Sequence, residues 1–322
     1  MKISNIIKKI TDYFFKKFLR FYAGFDKVIS NIRPWGFSGL SVKEVGVRFI
    51  KAITTFSVNS RASAVAFCFF LAMFPAIIFV FTVIPYLPIE NFSEKLMDFL
   101  AGIMPEYAFD TISSTIEDIT TRKSASLLSF GFIASLYFAK SGFATMISTF
   151  NETVNATEKR SWIKVEIISL LLVLIIVFFM SITIGLITFS ETIFFYLKTQ
   201  IEQMSTVIEY LYQIAHWILS ISFFYFAVAV LYYLAPTKKD RFRFFSLGAA
   251  ISTVLCILLV IGFSYYINNF GAYNKLYGSI GTLIALLVLI RFTALILIIG
   301  FELNASIKKS QLEIIHNKNI LS

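Results

Sequence analysis

Lys140 lies about 16 residues into one long apolar run of this chain, and Arg291 about 12 residues into another. If those runs cross a membrane, each charge costs at least ~2.5 kcal/mol on insertion scales, so each needs a carboxylate, backbone carbonyls or water nearby. The nearest acids in the sequence are Glu302, at one end of the run holding Arg291, and Glu166, at the start of the run after the one holding Lys140. Both acids sit near run ends, and reaching two interior bases from there leaves positive charge uncompensated. A surplus of that sign suits an anionic passenger such as a phosphate-bearing lipid headgroup. The competing reading is structural, with both bases snorkelling or bonded to helix carbonyls. Glu302 and Asn304 are a further polar pair, equally suited to lining a substrate path and to hydrogen-bonding one helix to another.

Other chemistry finds little support. The chain has two histidines, His216 and His316, and they are far apart in sequence. Two isolated histidines do not build the clustered His/Asp site of a metal-dependent nuclease. The two cysteines, Cys68 and Cys256, fall inside apolar runs and read as small packing residues. There is no Gly-rich loop ending in Lys-Ser/Thr, so movement of a substrate would draw on an ion gradient, a partner or equilibration. The sequence therefore predicts no catalytic residues, no metal or cofactor and no nucleic-acid partner.

The elements that must position these residues are six apolar runs within 62–88, 125–150, 165–190, 208–234, 246–267 and 279–303. Each is long enough to cross a hydrocarbon core of about 30 Å as a helix. A composition of 57% hydrophobic and 15% charged residues agrees with a polytopic membrane protein and leaves too little polar surface for a soluble domain. Lys and Arg orient it, because short loops rich in them stay in the cytoplasm. Of the 29 basic residues, 22 fall before the first run, in the second-to-third and fourth-to-fifth connections, or in the tail, against 5 in the other three connections. Both termini are thus expected in the cytoplasm, with the first span serving as its own insertion signal.

The expected fold is an all-α integral membrane protein, a six-transmembrane-helix bundle carrying interfacial helices. Residues 1–40 form a basic N-terminal region whose mixture of Phe, Ile and Leu with Lys8, Lys9, Lys16, Lys17, Arg20 and Lys27 suits an anionic inner leaflet. Residues 41–306 form the membrane domain and 307–322 a cytoplasmic tail. Ser41 and Glu44 have capping-box spacing and predict a helix from Val42 to about Val58. The connection after the first span is acidic, and its apolar spacing predicts two short amphipathic helices on the outer side, with Pro105 opening the second.

Several small or special residues point to packing or bending. Pro75 removes a hydrogen bond in the middle of the first span, as a hinge or a packing kink. Gly278 and Gly281 follow Tyr273, Lys275 and Tyr277 at an outer boundary. Gly248 with Ser252, and Ala62 with Ala66, have the small-xxx-small spacing that allows close helix approach.

Four segments resemble the YihY / virulence factor BrkB family of bacterial inner-membrane proteins, formerly labelled ribonuclease BN. They are RASAVAFCFFLAMFPAIIFVFTVIP (61–85), FNETVNATEKRSW (150–162), LYYLAP (231–236) and YNKLYGSIGTLIALLVLIRFTALILIIGFELNAS (273–306), in the family's order. The ending GFELNAS further resembles members from the Bacteroidetes. The resemblance covers roughly residues 40–306 and implies a six-span inner-membrane protein with a role in envelope integrity or in moving envelope lipids. Two function classes follow: a transporter or flippase-like carrier of an anionic envelope lipid, and a non-transporting scaffold for envelope-assembly proteins. Membrane lipids are the expected partners in both, and self-association is left open.

Overall fold

The computed structural model describes residues 40–53, 56–83, 124–154, 158, 160–200, 206–237, 244–269 and 271–321, with the isolated positions 86, 97 and 113. The basic segment before residue 40 and most of the acidic connection lie outside the described residues, and with them the amphipathic helices expected there. Among the described residues seven helices follow in order: α1 Val42–Ile53, α2 Phe56–Val83, α3 Ala125–Thr153, α4 Trp162–Gln200, α5 Thr206–Leu234, α6 Leu247–Asn269 and α7 Gly271–Leu321. Helices α2 to α7 each contain a stretch long and apolar enough to cross a membrane. The protein is an all-α membrane bundle, as the six runs require.

Local signals set several of the helix ends. Ser41 N–H and Oγ both donate to Glu44 Oε2, at 2.8 and 3.0 Å, and Glu44 N–H donates back to Ser41 Oγ at 3.2 Å, which is the expected capping box. The helix it opens ends at Ile53, short of Val58, and a new helix begins at Phe56. Ser124 caps α3 by accepting from Leu127 N–H at 3.4 Å. Helix α7 continues past the sixth apolar run through Leu321; its 51 residues make a rod of roughly 75 Å, more than twice a hydrocarbon core.

The six long helices pack in a closed sequence, each against its chain neighbours, with α7 returning to α2 and also touching α3. Helix α1 lies on α7, where Leu40 and Val45 bury against Leu303 and Ile307. The ends that begin α2, α4 and α6 and finish α3 and α5 meet at one end of the bundle, here called the basic end after its connections. Glycines aside, the described buried apolar residues lie in the half of their helix nearest that end or close to its midpoint, as with Ala72. Phe150, Tyr232 and Phe301, from α3, α5 and α7, form its aromatic centre; Phe150 stacks on Phe301 with centroids 4.0 Å apart, and Tyr232 meets both edge-on. Facing outward along the spans are large apolar side chains such as Leu174, Phe178, Ile218 and Ile261, as a surface bathed in acyl chains requires.

Candidate functional site

Glu302 and Asn304 stand two positions apart on α7, about 200° around the helix, so they address different neighbours. Glu302 is 6% exposed, and its Oε1 accepts from Thr153 Oγ1 of α3 at 2.7 Å. Two turns further on, Lys309 Nζ donates to Thr153 O at 2.7 Å. That ammonium sits on the carbonyl end of α3, where the helix dipole is negative. Asn304 turns to α6. Its Oδ1 accepts from Gly248 N–H at 2.8 Å and its Nδ2 donates to Ser246 Oγ at 2.9 Å, satisfying first-turn groups that no intrahelical partner reaches.

Close approach of α6 and α7 makes this possible. A Cβ placed on Gly300 would lie 1.8 Å from Ser252 Oγ, and one on Gly248 would lie 2.1 Å from Gly300 O. The Gly248/Ser252 spacing thus does mark a tight helix crossing. Tyr232 reaches into the crossing from α5, donating to Leu297 O at 2.6 Å with Ser252 Oγ at 2.7 Å. Ala62 and Ala66 are likewise fully buried on α2.

The connections between α3 and α4 and after α5 add a second polar layer that sequence reasoning did not single out as a site. Glu158 receives Arg160 Nη2 at 2.7 Å and Nε at 2.9 Å, Asn151 Nδ2 at 2.7 Å, and Thr237 Oγ1 at 2.9 Å. Asn151 Oδ1 in turn accepts from Thr237 N–H at 2.9 Å, and Arg160 Nη2 also donates to Ala235 O at 2.9 Å, at the carbonyl end of α5. The side-chain hydrogen bonds from Arg160 outweigh partial burial and, with the Arg160 N–H and Thr237, hold the Glu158 carboxyl down at about 2. These residues lie within or beside FNETVNATEKRSW and LYYLAP. Hydrophilic types pressed directly against two apolar runs were the available signal.

The two intramembrane bases have different partners. Lys140 forms an ion pair with Glu166, as one of the sequence alternatives proposed, and its ammonium lies 5.2 Å from the centre of the Tyr137 ring. Arg291 does not meet Glu302. Its Nε donates to Ser63 Oγ at 3.1 Å and its Nη2 to Asn59 Oδ1 at 2.6 Å, both on the opening turns of α2. A long flexible side chain leaves its own level in the span and reaches polar groups nearer the basic end. Lys140, Arg291, Glu302 and Asn304 are therefore not one constellation: they bond to α4, α2, α3 and α6 in that order.

Pro75 lies inside a continuous α2, and the turn from Pro75 to Phe79 receives Gly131 of α3 so closely that a Cβ there would meet Phe79 N at 2.9 Å. Gly278 and Gly281 fall within the opening turns of α7, with Gly281 buried. Cys68 and Cys256 are free thiols, and a ring nitrogen of His216 is 2.9 Å from Leu186 O of α4.

This fold and the polar end where α3, α5, α6 and α7 are tied together define a multi-pass membrane protein. The virulence factor BrkB family matches residues 49–319, and the chain belongs to it. The ribonuclease-like protein YfkH of Bacillus subtilis (strain 168) is 30% identical over 255 residues, covering 78% of this chain and 90% of that protein. The UPF0761 membrane protein NTHI0384 of Haemophilus influenzae (strain 86-028NP) is 21% identical over 271 residues, 83% of this chain and 96% of the relative. A UPF0761 membrane protein of Vibrio campbellii (strain ATCC BAA-1116) is 36% identical over 92 residues, 27% of this chain and 29% of its own. No solved structure matches.

Proposed function

We propose that this chain is a carrier in the bacterial inner membrane that moves an anionic envelope lipid or a related amphipathic molecule, with its basic end and both termini in the cytoplasm. The observation that carries this reading is the setting of Arg291. Its hydrogen bonds among the described residues go to uncharged acceptors, Asn59 Oδ1 and Ser63 Oγ, whereas Lys140 is neutralised by Glu166. A guanidinium drawn toward the basic end of a membrane domain that meets no carboxylate among the described residues favours a passing phosphate or carboxylate. The excess of Lys and Arg on one set of connections supports the orientation, and the basic stretch in residues 1–40 supports contact with the anionic inner leaflet.

The ribonuclease-like name of the Bacillus relative describes that protein, and we do not extend it to this chain. His216 is engaged by a backbone carbonyl of a neighbouring span, a packing role. The scaffold reading draws on a different observation, the densely bonded basic end, which suits a fixed platform for envelope-assembly proteins.

Reconstitution separates the two. Purified protein in vesicles should accelerate exchange of labelled anionic phospholipid between leaflets, and Arg291→Met should slow that exchange while leaving the detergent melting temperature within a few degrees of the parent. Exchange no faster than in protein-free vesicles would refute the carrier and leave the scaffold. A large fall in melting temperature with unchanged exchange would make Arg291 a structural tie to α2.

A further inference from the structure

Helices α6 and α7 touch at Gly248 and Gly300 near the basic end and then separate. In the far half of the pair they leave a cleft of about 470 Å³, walled by Leu258, Gly262 and Phe263 of α6 and by Ile284, Val288 and Phe292 of α7. The i, i+4 steps Leu258–Gly262 and Ile284–Val288–Phe292 put one face of each helix against it. Gly262 lines the cleft and leaves it open: a Cβ built there has no described atom within 4 Å. Among the described residues no side chain fills the space between the walls, with Leu258 57% and Ile284 42% exposed.

We propose that this cleft binds one acyl chain of a membrane phospholipid. It opens sideways from two spans, so its surroundings are hydrocarbon and its occupant comes from there. Water is excluded because the lining offers almost no hydrogen-bonding partner. An empty cleft would forfeit dispersion contacts along both walls, and a linear flexible chain restores them where a rigid or branched molecule does not. The concave shape distinguishes it from the convex lipid-facing surface of α4, where Leu171, Leu174 and Phe178 also point outward. At the inner end, one turn of α7 places Phe292 in the cleft wall while the adjacent Arg291 reaches toward α2, its Cζ 6.0 Å from the Phe292 ring centre. Apolar lining and cationic side chain are thus adjacent, as an anionic amphipath requires. The acyl-chain site deepens the carrier reading and rests on it for the lipid's movement, though not for its binding.

The test uses the full-length protein in vesicles doped with a phospholipid bearing a diazirine on one acyl chain. After illumination, mass spectrometry of the digested protein should find adducts on Leu258–Phe263 and Ile284–Phe292 several-fold above those on Leu171–Phe178, and excess unlabelled phospholipid should compete them away preferentially. Gly262→Trp, which fills the cleft, should remove the cleft adducts and spare those on α4. Ala285→Phe is the second filling variant should the first fail to fold. Cleft labelling equal to that on α4, or unchanged by a folded filling variant, overturns the proposal. Lipid exchange measured in the same vesicles keeps the two readings apart: cleft labelling without exchange supports the binding site and refutes the carrier, whereas exchange with only α4-level labelling refutes the site and leaves the carrier.

Discussion

At the basic end, Phe301 of α7 stacks face to face on Phe150 of α3 and Tyr232 of α5 meets both edge-on, and Glu302, Asn304, Thr153 and Lys309 exchange hydrogen bonds between helices. In the far half, α6 and α7 part around an apolar cleft, and its lining includes Gly262, where a Cβ would meet no described atom. The polar half is the better buried of the two. Inside a membrane, apolar surface gains little by turning inward, because acyl chains solvate it as well as leucine does. Interhelical hydrogen bonds and close small-residue crossings decide instead which parts of a bundle are firm. The contrast teaches that firmness here follows polar partners, and that separation of helices is tolerated where lipid can fill the space.

The largest effect expected from this contrast is at the two glycines of one helix pair. Gly300→Ala forces a methyl group into Ser252 and Tyr232 and should destabilise the folded protein by about 1–3 kcal/mol or more, whereas Gly262→Ala should be neutral or stabilising by up to about 1 kcal/mol. Unfolding in mild detergent measures both, and equal losses would break the comparison.

The ion pair near the midpoint of α3 tests the seam between the halves. Lys140→Met leaves the Glu166 charge without its partner and should cost a few kcal/mol, while the double change Lys140→Met, Glu166→Leu should recover most of the loss. No recovery in the double variant would show that the pair is not the unit.

Next comes Thr153→Val, which removes the donor to Glu302 without changing side-chain size much. It should cost about 1–3 kcal/mol and leave phospholipid labelling in the cleft untouched, because the lost bond belongs to the other half. A change in cleft labelling would mean that the halves are coupled.

The smallest effect concerns pH. The Glu158 carboxyl is lowered from 4.5 to about 2, so its contribution to stability is fully present above pH 4.5 and is lost as pH falls toward 2. Because the group is partly open to water, that contribution is about 1 kcal/mol or less. The melting temperature should fall more steeply between pH 4.5 and 2 in the parent than in Glu158→Gln, and parallel profiles would show that Glu158 contributes nothing to the polar layer beside Arg160 and Thr237.

Particular residues show where reading the chain worked. The Ser41/Glu44 cap is local, involving atoms three positions apart, and was legible. So was the close approach at Gly248 and Ser252, since two small residues one turn apart on a helix face leave room for a neighbouring helix, though not that Gly300 is the residue opposite. Glu166 is one candidate partner for Lys140 as a near acid in the sequence, and the pair forms because the two helices are consecutive and antiparallel. Glu302 is one of several partners the sequence leaves open to Arg291, beside carbonyls and water; eleven positions along a rigid helix place the two roughly 16 Å apart, and Asn59 and Ser63 of α2 take its hydrogen bonds instead. Asn151 enters the sequence reading only as part of FNETVNATEKRSW and Thr237 not at all, since neither shows by itself that it meets Glu158.

What the sequence by itself determined is the number of spans, the alternation of their direction, the sided distribution of charge and the family. Hydropathy over about 20 residues and loop charge are local quantities, and the bilayer reads them one segment at a time. Only the tertiary structure decided which polar groups meet and where the bundle is firm or open. Thr153 and Glu302 are 149 positions apart, and Ser63 and Arg291 are 228 apart. Such partners are chosen by how helices tilt and cross, which depends on packing small residues such as Gly248 and Gly300 against one another; no single segment contains that information.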